Sequence, residues 1–127
     1  SDDVINVSGH RMSTAEIEHT VISHNKISDA ASISIPDELT GEAIVVFFVP
    51  ENKNEINLEA DIVEHINKKI GKIAKPKLIF QLSDLPKTRT GKIMRRLLKA
   101  KLTGNSLGDL SSLENHDILK EIDKFKI

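Results

Sequence analysis

The chain has 127 residues, 39% of them apolar and 29% charged, which fits a single domain with one modest core. It has no Cys, which excludes a disulfide framework, a thiolate metal site and a Cys nucleophile; its longest apolar run, Ala43 to Val49, is far short of the roughly 20 residues a membrane span needs. The net charge of −1 hides an asymmetry: residues 67–101 hold twelve Lys and Arg against one acid, Asp84, while the remainder holds six basic and eighteen acidic residues. A block this basic points either to an anionic partner or to a solvated basic surface that complements an acidic half.

In chain order, residues 1–12 form an irregular entry with a short extended piece, Val4 to Val7, and a turn at Ser8-Gly9-His10. No secretory pattern opens the chain, and a cytoplasmic setting is expected. Ser13-Thr14-Ala15-Glu16 reads as a capping box for a helix over 14–24, with Glu16, Glu18 and His19 facing water. Ala31, Ile33 and Ile35 alternate as a half-buried strand ended by Pro36, and the turn-rich Pro36 to Gly41 leads into Ala43 to Val49, which is apolar throughout as a central strand should be. The short loop between them predicts an antiparallel hairpin. Asn57 caps a helix over 58–70 with Leu58, Ile62, Ile66 and Ile70 four apart, and Gly71 ends it. Lys77 to Gln81 is a third strand, parallel to 43–49 through a right-handed crossover. A helix over 92–102 buries Ile93, Met94, Leu97 and Leu98 and leaves Arg95, Arg96 and Lys99 wet. Residues 103–115, with two Gly and three Ser, read as a linker before a tail helix over 117–125. The expected fold is α+β: a small three-stranded mixed sheet flanked by helices, with an extended entry segment and a C-terminal tail helix. The domain proper is 1–102, and 103–127 is linker and tail.

Two segments have the residue types for chemistry. In Leu85 to Arg96, Pro86 and Gly91 bracket three cations, Lys87, Arg89 and Lys92, and two hydroxyls. Lys92 at the start of a helix can share an anion with that helix's free N–H groups and stabilise charge developing on a phosphoryl or carboxylate group. The plainer reading is a solvated cationic loop. The spacing of a Walker A loop is absent. In the second segment, Ser8-Gly9 offers backbone that a narrow ligand can approach and Arg11 offers a fork for phosphate; here too a turn with a surface Arg is the plainer reading. The five His are scattered without metal-ligand spacing, so no metal site is expected. No aromatic residue interrupts the basic block between Gln81 and Lys101, which argues against a base-stacking nucleic-acid surface.

Together the two segments resemble a known family. DDVINVSGHRMSTAEIE (2–18) is similar to the motif that opens the C-terminal lid domain of AMP-forming acyl-CoA synthetases, and LPKTRTGKIMRRL (85–97) to the motif that closes it. The wording VSGHR…TAEIE and the tail GNSLGDLSSL (104–113) resemble the acetyl- and propionyl-CoA synthetase branch. The resemblance implies an enzyme that makes an acyl-adenylate from a carboxylic acid and MgATP and then an acyl-CoA from coenzyme A, both substrates of the full enzyme, with nothing held tightly by this domain. It implies a large N-terminal adenylating domain as partner, Asp2 as the hinge, Lys92 as the adenylation lysine, Arg11 beside the nucleotide phosphate, and Ser8 and Gly9 along the coenzyme A tunnel. It also implies Lys92 as a target of a lysine acyltransferase and a deacylase. An Arg that meets coenzyme A in the branch is replaced here by Asn67, with Lys68 and Lys69 next to it. The isolated chain is expected to be inactive. The readings from other classes are an independent basic module binding RNA or another polyanion, and a stand-alone domain that regulates a separate ligase.

Overall fold

The computed structural model describes residues 4–125. The chain enters as a tight hairpin, β1 (Val4–Val7) and β2 (His10–Ser13), and passes directly into α1 (Thr14–Ile22). Half of the expected capping box forms: the Glu16 amide donates to Ser13 Oγ at 3.4 Å. The helix stops at Ser23, whose hydroxyl donates to the Thr20 carbonyl.

A long hairpin follows, β3 (Ile27–Asp37) and β4 (Gly41–Pro50), antiparallel from Asp29↔Val49 to Asp37↔Gly41. Pro36 lies inside β3, opposite Glu42, and does not end it. An edge strand tolerates this, because β3 pairs only with β4 and no second neighbour needs the missing N–H. Then come α2 (Leu58–Lys69), a 3-10 turn (Lys72–Ala74) and β5 (Leu78–Gln81), which lies parallel to β4 as the crossover requires. Asn57 precedes α2 in a left-handed conformation (φ 61°) and its side chain makes no capping bond, contrary to its expected role. Gly71 follows the last turn at φ 133°, which a residue with a Cβ adopts poorly, and its amide donates to the Ile66 carbonyl.

The α+β class holds, but the sheet has five strands, not three: β1 joins β4 at Val7↔Gly41 and brings β2 with it. β1 is the extended piece expected at Val4 to Val7, while β2 lies in the part read as irregular. The central strand β4 is buried on both faces. Ile44, Val46 and Phe48 point to α1 and α2, against Ile17, Val21, Leu58, Ile62 and Ile66. Val45 and Phe47 point the other way, to Leu85, Leu98 and Leu102 of the C-terminal half and to Ile118 and Ile122. Phe47, Phe80 and Phe125 stack there with centroids 4.4 to 5.9 Å apart. Each such side chain, fully buried, contributes about 1.5–3 kcal/mol, so the sheet is a stiff plate between two apolar layers.

The third main helix, α3, spans Arg95–Leu102 and starts three residues later than expected; α4 is Ile118–Ile122. Residues 103–115, read as a linker, hold neither helix nor strand but pack back on the molecule. The guanidinium of Arg96 donates to the carbonyls of Leu107 and Asp109, and Leu113 is buried.

Candidate functional site

Lys92 does not open a helix. It lies on a small ribbon formed by residues 87–93, with Lys87 bridged to Ile93. The Thr88 amide donates to the Lys92 carbonyl (2.9 Å), the Gly91 amide to the Thr88 carbonyl (2.9 Å), and the Lys92 amide to Thr88 Oγ1 (3.1 Å). Gly91 turns this ribbon at φ 89°. The expected pairing of Lys92 with a helix N-terminus therefore fails; the backbone that aims its side chain is a β-turn.

The three cations of the ribbon are not equivalent. Lys87 Nζ sits 2.8 Å from Asp29 and 3.9 Å from Asp84. Its hydrogen bond to Asp29 raises its pKa, which burial opposes. Arg89 reaches toward Glu114 at 3.7 Å with a side chain 90% exposed. Lys92 is exposed, and among the described residues no carboxylate lies within ion-pair distance of it. Its charge is the one left for an outside anion.

Ser8 and Gly9 form the β1–β2 turn, both with left-handed backbone (φ 51° and 83°). A Cβ added at Gly9 would meet nothing within 4 Å, so the turn stands open. It is held from behind. The Ser8 amide donates to the Thr40 carbonyl (2.8 Å) and the Asn6 amide to Glu42 Oε2 (2.7 Å). Asp37 in turn accepts from the Thr40 amide and hydroxyl and from Lys77 (2.6 Å), bonds that hold its carboxyl well below the usual carboxylate range, Lys77 most of all. Arg11 is exposed on β2 opposite Asn6. Asp2 lies outside the described residues.

The structure does not bring the two segments together. The Ser8-Gly9 turn joins the Gly41 end of β4, whereas the base of the Lys92 ribbon is pinned to Asp29, opposite Val49. Along an extended strand those ends are roughly 26 Å apart.

Residues 16–92 match the family described as AMP-binding enzyme C-terminal domain. The chain belongs to this family. It is 48% identical over 125 residues to an acetyl-coenzyme A synthetase of Emericella nidulans, covering 95% of this chain and 19% of that protein. It is 42% identical over 123 residues to one of Methanothrix thermoacetophila, with 95% and 19% covered. The solved structure of a Brucella canis acyl-CoA synthetase superposes with a TM-score of 0.72 at 32% identity, covering 77% of this chain and 18% of that one. The chain thus spans about a fifth of the length of the relatives it matches.

Within this C-terminal domain half of the basic block, six of its twelve cations, is paired by the fold. Lys68, Lys77, Lys87, Arg89, Arg95 and Lys101 each lie within ion-pair distance of an acid, Glu64, Asp37, Asp29, Glu114, Glu18 and Asp123 respectively. The charge asymmetry in sequence is thus met in part across the tertiary structure. Lys68 pairs with Glu64, and among the described residues Lys69 has no acid within ion-pair distance and the buried Oδ1 of Asn67 has no hydrogen-bond partner. No helix is long and apolar enough to cross a membrane, and the described residues gather no cluster of metal-ligand type.

The sequence reading missed one polar pair outright. Glu18, expected in water, is buried; its carboxylate accepts from the Ser32 amide (2.7 Å) and takes Arg95 side-on at 2.7 and 2.5 Å. Arg95, assigned to the wet side of its helix, thereby ties the start of α3 to α1 and β3.

Proposed function

We propose that this chain is the mobile C-terminal domain of a short-chain acyl-CoA synthetase, hinged at Asp2 and extending to residue 102 before its tail. In the first half-reaction a carboxylate oxygen attacks the α-phosphorus of MgATP and pyrophosphate leaves. In the second the coenzyme A thiol attacks the acyl carbon and AMP leaves. The observation that carries this reading is Lys92: an exposed ammonium on a hydrogen-bonded ribbon, with no carboxylate within ion-pair distance among the described residues. Such a charge suits the negative charge that develops between carboxylate and α-phosphate. The open turn at Ser8 and Gly9 suits the thin pantetheine arm of coenzyme A, and Arg11 a phosphate of the nucleotide. Lys69 takes the place of the branch's coenzyme A-contacting Arg, as a point charge without a planar fork.

The remaining parts of the proposal follow from those assignments. The large adenylating domain is the partner, ATP, Mg2+ and coenzyme A are substrates, and the setting is cytoplasmic. Exposed Lys92 is open to reversible acylation, which removes the charge its chemistry needs. The test is pyrophosphate release with MgATP and acetate or propionate, by the full-length enzyme and by this chain alone. The full-length enzyme is expected to turn over and the chain alone to be silent. Turnover by the chain alone on the order of 1 per second would refute the assignment.

A further inference from the structure

We infer that the C-terminal tail is a clamp that positions the Lys92 ribbon, with Asn115 as its main positioning residue. The inference rests on the adenylation role proposed for Lys92. The family match ends at residue 92, so it says nothing of the tail.

The side chain of Asn115 reaches two backbone groups of the loop at once. Its Oδ1 accepts from the Lys87 amide at 2.9 Å, and its Nδ2 donates to the Leu85 carbonyl at 2.7 Å, with Asp84 Oδ2 a further 3.3 Å partner. The next residue back, Glu114, donates its amide to the Lys87 carbonyl at 2.9 Å, and Leu113 bridges Thr88 in antiparallel sense. Both backbone groups of Lys87 are therefore taken by the tail. Residues 113–114 act as a third strand laid against the two-stranded ribbon 87–93.

This addition changes the ribbon's physics. An isolated two-stranded hairpin is marginal in water, and a third strand is what makes such a unit persist. The tail can serve as that strand because it is itself anchored: Leu113 is buried, Arg96 holds the carbonyls of Leu107 and Asp109, and Ile118 and Ile122 enter the core beneath. Among the described residues no hydrogen bond or ion pair joins Lys92 to these residues, yet the direction of its side chain is set by the ribbon they hold. A transition-state contact is sensitive to such placement, since a displacement of about 1 Å is enough to cost on the order of 10²-fold in rate.

The experiment uses the full-length enzyme with Asn115→Ala and Asn115→Asp. Acyl-AMP formation from acetate and MgATP should fall about tenfold or more in Asn115→Ala, in kcat and not in the KM for ATP. Thioester formation from ready-made acetyl-AMP and coenzyme A should stay within about twofold. Asn115→Asp keeps the acceptor for the Lys87 amide but sets a carboxylate oxygen against the Leu85 carbonyl and Asp84, and should lose at least as much. Amide hydrogen exchange at Lys87, Thr88 and Gly91 reads the clamp without reference to catalysis and should quicken in Asn115→Ala while the β3–β4 amides stay protected. Unchanged exchange at those three amides, or equal losses in the two half-reactions, overturns the clamp. A failure of the Lys92 assignment is separately visible, as a Lys92→Ala enzyme that still forms acyl-AMP.

Discussion

Replacing each cation of the ribbon in turn by Ala, in the full-length enzyme, separates charge that stabilises a fold from charge that stabilises a reaction. Lys87 is partly buried and 2.8 Å from Asp29, so Lys87→Ala should cost about 1 kcal/mol of stability, a value kept small by partial exposure. Arg89 is 90% exposed with Glu114 at 3.7 Å, and Lys92 has no carboxylate within range among the described residues, so either change should shift stability by less than about 0.5 kcal/mol. The order inverts for chemistry. The charge of Lys87 is already matched by Asp29 and Asp84, whereas that of Lys92 is available. Lys92→Ala should lower acyl-AMP formation by about 10²–10³-fold, or roughly 2.7–4 kcal/mol of barrier, as loss of one preorganised donor does. The assays are pyrophosphate release for the first half-reaction, thioester formation from acetyl-AMP and coenzyme A for the second, and thermal melting for the fold. Lys92→Ala should melt as the parent does and keep most of the second half-reaction. Equal loss of adenylation in all three variants would reduce the loop to a diffuse electrostatic patch. Loss of the thioester step alone in Lys92→Ala would reverse the two assignments.

Gly9→Leu should spare adenylation and block thioester formation, since its φ of 83° disfavours a side chain and Leu would fill the open turn; equal loss of both half-reactions would remove the tunnel argument. Glu18→Ala should lower stability by about 1–3 kcal/mol, because it leaves the buried Ser32 amide without this acceptor and removes the side-on pair with Arg95; a melting temperature within 2 °C of the parent's, a shift of well under about 1 kcal/mol, would show that water compensates. The melting-temperature gap between the parent and Asp37→Asn should have a defined pH dependence. Because the folded pKa of Asp37 is lowered, its contribution is present above the ordinary carboxylate range near about 4 and fades as pH falls toward the folded value, so the gap should be constant near neutrality and close in acid. A gap independent of pH would mean that the Lys77 and Thr40 bonds do not depend on the charge.

The elements with a strong period were legible: α1, β3, β4, α2 and β5 all lie where the apolar spacing puts them. Of the hairpin β1–β2 the extended piece Val4 to Val7 and its turn were legible, but β2 was not, because it has four residues and His10-Arg11-Met12-Ser13 has no β-branched alternation. The start of α3 was misplaced because Ile93 and Met94 were counted into a helical stripe; they belong to the ribbon and to the position before the helix. Glu18 was readable after all. Thr14, Ile17, Glu18 and Val21 are the buried positions of α1, spaced i, i+3, i+4, i+7, so the carboxylate stood on the core face and needed a buried cation. Its partner, 77 residues on, left no trace in local pattern. At the candidate site, the residue types of Lys92, Ser8 and Gly9 were visible in sequence, but the neutralisation of Lys87 by Asp29 and the grip of Asn115 are products of tertiary contact alone.

The separation of the two segments constrains how they can share one reaction. Ends of β4 roughly 26 Å apart exceed what any side chain can span, so Lys92 and the Gly9 turn cannot attend one reacting carbon together. Nor can the sheet bend to bring them closer, since β4 is buried on both faces and its side chains interdigitate with helices on each side. On the proposed function, the alternation between half-reactions must then be a movement of this whole body relative to its partner, with one end presented as the other withdraws. That makes the polar anchors at the two ends functionally distinct. The Thr40–Asp37–Lys77 bonds set the turn for one position, the Asn115 bonds set the ribbon for the other, and a defect in either should divide the half-reactions. A defect in the plate itself, such as Val45→Ala, should lower both together.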